Sequence, residues 1–161
     1  EKFIPPKKGK QHVLRIVREI ISYEPISKKT DLAETLEQFM KYARRKSNVF
    51  IISDFIDSSD YDKPLRVASK KHDIIGLRIF DEKETIFPNI GLVNIQDQET
   101  GEIRLIDTSS ANTRKMYAAY FHELDKRYHA IFKKNNAGSL SIRSDQDYVH
   151  PLLNYFKSHR F

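Results

Sequence analysis

The stretch that decides the fold is Asn48-Val49-Phe50-Ile51-Ile52-Ser53. This apolar run is too short for a helix and is rich in β-branched and aromatic residues, which predicts a strand buried on both faces. Strands of this kind are typical of parallel sheets that carry helices on either side. The stretch therefore predicts an α/β protein.

A second strand is predicted about twenty residues further along, over residues 73–80. Between the two strands, Pro64 is suited to the first turn of a helix, and apolar residues follow it at helical spacing. A strand, a helix and a strand in succession form a βαβ unit, whose connection is expected to be right-handed.

Periodicity predicts further elements on both sides of this unit. They are helices over residues 10–23 and from residue 30 or 31 to about 46, hairpin strands at 92–97 and 102–107, a helix from Ser109 or Ser110 to about 135, a strand at 139–143 and a last helix with Pro151 in its first turn. This order predicts a doubly wound, mostly parallel sheet with a hairpin at its edge, in a single domain over residues 1–161.

Two amphipathic helices precede the first clear strand, and they need a sheet face that residues 2–6 cannot supply. We therefore expect that leading strands of the sheet are missing from this chain. Their absence would leave the edge of the strand at residues 48–53 open, which predicts self-association or strand exchange.

Composition limits the protein class. The chain has 161 residues, of which 39% are hydrophobic, and this suffices for a core; it contains no cysteine, which excludes disulfides and thiolate metal sites. No apolar run reaches the ~18 to 20 residues of a membrane span, and the chain begins without a signal-like segment. We expect a cytoplasmic protein.

The net charge is +6, from 28 Lys and Arg against 22 Asp and Glu, and the excess lies in residues 1–46. A basic segment attracts phosphates or acidic partners, so a nucleic-acid-binding domain is one alternative. No aromatic residues interleave with the basic clusters as a single-strand groove requires, and an ordinary solvated surface is the favoured interpretation.

Asp54 is the first candidate site residue, because ligands of open parallel sheets bind outside the carboxyl ends of the strands. Three more acids follow it by residue 62, and hard divalent cations take such oxygen ligands. Thr30 is the second candidate, since its hydroxyl could reach the same crevice. The alternatives are that Asp54 caps a turn and that Thr30 caps a helix.

An enzyme is poorly supported. The six histidines form no HExxH pattern, and the chain has neither a GxSxG motif nor a phosphate-binding glycine loop. A metal-dependent phosphoryl-transfer or nuclease-like enzyme using the acids from Asp54 to Asp62 remains an alternative. Two-metal catalysis would need convergent carboxylates, and Asp81 is the one other strand-end acid that could meet them.

Several motifs carry a resemblance to a known family. The turn Thr30-Asp31-Leu32 and residues 44–55 look like the second half of a von Willebrand factor A-type domain. Within that superfamily, the chain resembles bacterial proteins of domain of unknown function 58, through residues 2–9, 71–75, 97–102 and 144–153.

The resemblance implies a Rossmann-like sheet with a metal-ion-dependent adhesion site at the strand carboxyl ends. Thr30 matches the threonine of that site and Asp54 its aspartate, whereas the Asp-x-Ser-x-Ser loop has no counterpart in this chain. The resemblance also implies a protein-interaction module without enzymatic activity, with a MoxR-type AAA+ ATPase as partner. Mg²⁺ or Mn²⁺ would bind the intact protein, and we expect no tight metal binding by this chain because Mg²⁺ needs about six oxygen ligands.

Overall fold

The computed structural model describes residues 2–26, 30–56, 59–96 and 101–158. Within these residues the helices are α1 (Lys10–Ser22), α2 (Leu32–Tyr42), α3 (Asp62–Ser69), α4 (Glu82–Thr85), α5 (Ala111–Lys134) and α6 (Val149–Ser158). The strands are β1 (Asn48–Ser53), β2 (Asp73–Phe80), β3 (Leu92–Gln96), β4 (Ile103–Asp107) and β5 (Gly138–Arg143).

The main sheet has three parallel strands in the order β1-β2-β5. Val49 of β1 lies opposite Ile74 of β2, and Leu77 of β2 lies opposite Leu140 of β5. The middle strand is the most buried, because it has a hydrogen-bonded neighbour on each side and helices on both faces. An α/β fold with a parallel sheet is therefore confirmed.

One face of this sheet is covered by α2, α3 and α5. The buried members of that cluster are Leu32, Leu36, Phe55, Tyr61, Leu65, Ala68, Ile74, Tyr128 and Phe132. Gly76 of β2 lets α5 approach closely, because a Cβ at this position would lie 2.7 Å from the Phe132 ring. Tyr128 fixes the same contact by donating a hydrogen bond of 2.7 Å to the main-chain oxygen of Gly76.

The opposite face packs against α6. Ile75, Leu77 and Ile142 are its buried residues, and Leu152 and Tyr155 of α6 pack against them. Since side chains alternate along a strand, neighbouring residues of β2 supply the cores on the two faces.

The prediction that β1 is buried on both faces was wrong. No residue of β1 is buried, and exposed and half-buried residues alternate along it. The cause is its place at the edge of the sheet, where a single strand pairs with it among the described residues. Phe50 and Ile52, which point to the α6 side, remain 44% and 68% exposed.

The hairpin was predicted correctly as a pair of strands but wrongly as an edge of the main sheet. β3 and β4 pair with each other and form a separate two-stranded sheet, with Asn94 opposite Leu105. The turn was expected around residues 99–101, of which 99 and 100 lie outside the described residues and Gly101 lies within them.

α1 is amphipathic as predicted, yet none of its residues is buried. The segment before it reaches α2, because the ring of Phe3 stacks on that of Tyr42 with centroids 4.5 Å apart. None of the helices in the described part of the chain has the length and hydropathy needed to cross a bilayer.

Candidate functional site

Asp54 lies directly after β1, at the carboxyl end of the main sheet, and its side chain is exposed. Its Oδ1 accepts a hydrogen bond of 3.0 Å from the backbone N–H of Ile56 and a longer one from the Ser53 hydroxyl. One carboxylate oxygen therefore caps a turn, which is the structural role considered for Asp54 from sequence. Its other oxygen accepts no hydrogen bond from any residue that the structure describes.

The chain turns sharply after Asp54, because Phe55 adopts a left-handed backbone conformation with φ of 55°. A bulky residue in this region costs about 1 to 3 kcal/mol and persists only where its surroundings hold it. Phe55 is 4% exposed, and its ring centroid lies 4.4 Å from that of Tyr128. Core packing thus holds the strained turn that presents Asp54 at the surface.

Arg78 holds this turn in place from the interior of the protein. It lies in β2, is 3% exposed, and donates from Nε to the main-chain oxygen of Asp54 at 3.2 Å. Its Nη1 donates to Oδ1 of Asp125 on α5 at 2.9 Å. A buried guanidinium requires such partners because its charge is costly to desolvate. The pair fixes β1, β2 and α5 to one another beneath Asp54.

A polar network continues from Asp125 along the side of α5. Its carboxylate accepts from the hydroxyl of Ser141 at 2.8 Å, and that hydroxyl lies 3.1 Å from Nε2 of His129. Nδ1 of His129 is 2.7 Å from the hydroxyl of Ser139. The sequence reasoning missed this network, although one signal was available: Arg78 is a charge within the apolar run of residues 74–80.

Thr30 is exposed and lies two residues before α2. The residue that caps this helix is Asp31, whose Oδ1 accepts from the backbone N–H of Glu34 at 2.8 Å. Leu32, two residues after Thr30, belongs to the same buried cluster as Phe55, which follows Asp54. Convergence of Thr30 and Asp54 on one cation stays a prediction.

The other acids after β1 have separate roles. Asp60 accepts from the backbone N–H of Asp62, and Asp62 pairs with Lys134 and Asn135 at the end of α5, each at 2.7 Å. The hydrogen bond from Lys134 is the main reason why the pKa of Asp62 is lowered. Asp57 lies outside the described residues.

Asp81, the strand-end acid of β2, accepts from the backbone N–H of Lys83 and caps α4. Across residues 2–26, 30–56, 59–96 and 101–158, no three His, Asp or Glu side chains are grouped as a metal site would need. Thr30 and Asp54 alone supply too few oxygen donors for Mg²⁺, which needs about six. Among the described residues, the donors near Asp54 therefore do not form a complete magnesium site.

Comparison with known proteins gives a family. The model of the family "Protein of unknown function DUF58" matches residues 1–127. Uncharacterized protein MAV169 of Mycobacterium avium is 27% identical over 161 residues, which cover 98% of this chain and 94% of that protein.

Uncharacterized protein Rv1480 of Mycobacterium tuberculosis is 27% identical over 160 residues, and the chain spans about half of its length, with 98% of the chain and 50% of the relative covered. No solved structure matches the chain significantly. Because the family model covers most of the sequence, this chain belongs to the DUF58 family of proteins of unknown function.

Proposed function

We propose that this protein is a non-enzymatic protein-interaction module with a von Willebrand factor A-like, Rossmann-like sheet, and that its binding surface is the carboxyl end of that sheet. In the intact protein, Thr30 and Asp54 would hold Mg²⁺ or Mn²⁺, and a carboxylate of the partner would complete the coordination. The proposed partner is a MoxR-type AAA+ ATPase, with which the protein would assemble or activate other proteins.

The observation that carries this proposal is the presentation of Asp54. Its carboxylate is exposed at a strand end, while the strained backbone at Phe55 and the buried Arg78 hold its main chain in place. A rigid, solvent-facing carboxylate suits a contact through a bridging cation, because little order has to be gained on binding.

The acidic enzyme alternative has less support. Asp62 pairs with Lys134, and Asp81 caps α4. Both carboxylates therefore already have partners of their own, which does not favour joint metal binding with Asp54. The nucleic-acid alternative rests on the basic charge of residues 1–46 alone.

The test is binding of the intact protein to a purified MoxR-type ATPase, measured by biolayer interferometry in Mg²⁺ and in EDTA. We expect binding in Mg²⁺ that EDTA weakens at least about tenfold, a loss of about 1.4 kcal/mol. Asp54→Ala should weaken binding in Mg²⁺ to the EDTA level and make it insensitive to the cation.

The matched control is Asp107→Ala, which removes another exposed strand-end carboxylate from the separate hairpin sheet. This variant should bind as the unchanged protein does. Binding that ignores both EDTA and Asp54→Ala would contradict the cation-dependent site, and absence of any binding would contradict the proposed partner.

A further inference from the structure

β1 presents an open edge. It pairs with β2 on one side, and no strand among the described residues pairs with its other side. The main-chain oxygen of Ser47 accepts from the N–H of Asp73 in β2. Because a parallel strand turns alternate residues toward its neighbour, the backbone groups of Asn48, Phe50 and Ile52 are directed to the open edge.

This edge lacks the features that normally prevent pairing with another strand. Proteins protect such edges with charges, prolines or bulges, and Asn48–Ser53 contains no charge and no proline. Phe50 and Ile52 add exposed apolar side chains on the α6 side of the sheet. The edge therefore offers both backbone hydrogen bonds and apolar surface.

Charges at the two ends of β1 favour a particular occupant. The basic residues Arg44, Arg45 and Lys46 precede the strand, and the acid Asp54 follows it. An antiparallel second copy would place the basic start of one strand beside the acidic end of the other, twice over, whereas a parallel copy would bring like charges together. Lys46 contacts Asp73 at 2.9 Å, but both side chains are well exposed, so this pair is easily exchanged.

We propose that two copies of this chain pair through β1, antiparallel and about a two-fold axis beside Phe50. In this register Phe50 faces Phe50 of the second copy, Asn48 faces Ile52, and Lys46 faces Asp54. The N–H and C=O groups of Asn48, Phe50 and Ile52 that point to the open edge then all form hydrogen bonds with the second copy. The two three-stranded sheets become one continuous sheet.

The experiment is sedimentation velocity of the chain over a range of concentrations, with charged variants at the two-fold axis. The unchanged chain should form dimers. Phe50→Lys and Phe50→Glu should each be monomeric, because like charges would face each other, and an equimolar mixture of the two should recover the dimer. Leu105→Lys, a matched change at an exposed hairpin position, should leave the dimer unchanged.

A second measurement needs no substitution, so it does not depend on whether a variant folds. Hydrogen exchange of the unchanged chain should show protection of the Asn48, Phe50 and Ile52 amides that rises with protein concentration. A monomer at every concentration would overturn the proposal. So would a dimer that forms with either charged variant alone, or one that leaves these three amides unprotected.

Discussion

Arg78 reaches from the middle strand of the sheet to the main-chain oxygen of Asp54, with its Nε 3.2 Å from that oxygen. The same guanidinium pairs with Asp125 of α5, so the surface turn and the buried helix share one anchor. The position of the candidate ligand thus depends on a residue that lies outside the candidate site.

Replacing Arg78 by Met should loosen this turn. The change removes a buried, charged hydrogen-bond donor and leaves the partly exposed carboxylate of Asp125 without its guanidinium partner, so we expect a loss of about 2 to 3 kcal/mol in the free energy of unfolding. The amide of Ile56, which donates to Asp54, should exchange faster in the native state.

Urea unfolding and native-state hydrogen exchange check this prediction. Asp125→Asn is the comparison variant. It leaves the buried guanidinium without a counter-charge, so it should also lower stability. It keeps the hydrogen bond from Arg78 to the main chain of Asp54, so the local exchange of Ile56 should change less than in Arg78→Met. If Arg78→Met lowered stability while leaving the local exchange of Ile56 unchanged, Arg78 would be a core ion pair without influence on the turn.

Gly76→Ala should destabilise the protein by about 1 to 3 kcal/mol, because the new Cβ would overlap the Phe132 ring and the Tyr128 hydroxyl. This overpacking outweighs the gain of about 0.4 to 1 kcal/mol that a Gly to Ala change gives through the unfolded chain. Urea unfolding provides the measurement.

The double variant Gly76→Ala with Phe132→Leu tests the cause of that loss. Since the smaller side chain makes room for the methyl group, the double variant should be more stable than the two separate costs predict. Strictly additive costs would show that Phe132 is not what excludes a Cβ at position 76.

The parallel sheet was predicted correctly from the sequence, because the β1 and β2 runs are rich in β-branched residues, which favour strands. The apolar run of β1 by itself predicts burial, since such a run is the same whether its neighbour strand is present or not. The open edge of β1 was expected instead from the two amphipathic helices that precede it, and β1 lies at the edge of the sheet among the described residues. The hairpin strands were found from alternation, but their separation from the main sheet depends on pairing, which alternation does not encode.

The candidate site was only partly predictable. Asp54 was found from its place after a strand, whereas the residue that caps α2 proved to be Asp31 and not Thr30. The anchor of Arg78 on Asp125 joins residues 47 positions apart, and no local pattern reports a contact of that range. Its one local sign, a charge in the apolar run of β2, was not used.

His72 should make stability depend on pH. It is 2% exposed, its ring meets Phe39 edge to face, and neither ring nitrogen has a hydrogen-bond partner among the described residues. Burial lowers the pKa of His72, and the positive charge of Lys71 lowers it further, whereas the negative charge of Asp73 opposes the shift.

The unfolded chain therefore binds a proton that the folded chain rejects. Stability from His72 is fully present above the unfolded pKa of about 6.5 and is lost as pH falls toward the lower folded value. Urea midpoints should fall between about pH 7.5 and pH 5, above the range in which carboxylates titrate. His72→Phe should remove this dependence, and the exposed His122→Phe should retain it; equal slopes in all three proteins would contradict the assignment.

Thr30 and Asp54 are proposed to meet at one cation, and paramagnetic broadening by Mn²⁺ can test this, because the effect reports even weak binding. In amide spectra of the chain titrated with Mn²⁺, resonances around residues 30–32 and 53–56 should broaden together and with the same concentration dependence. Asp54→Ala should abolish both effects. Broadening of one segment without the other would contradict a cation site shared by Thr30 and Asp54.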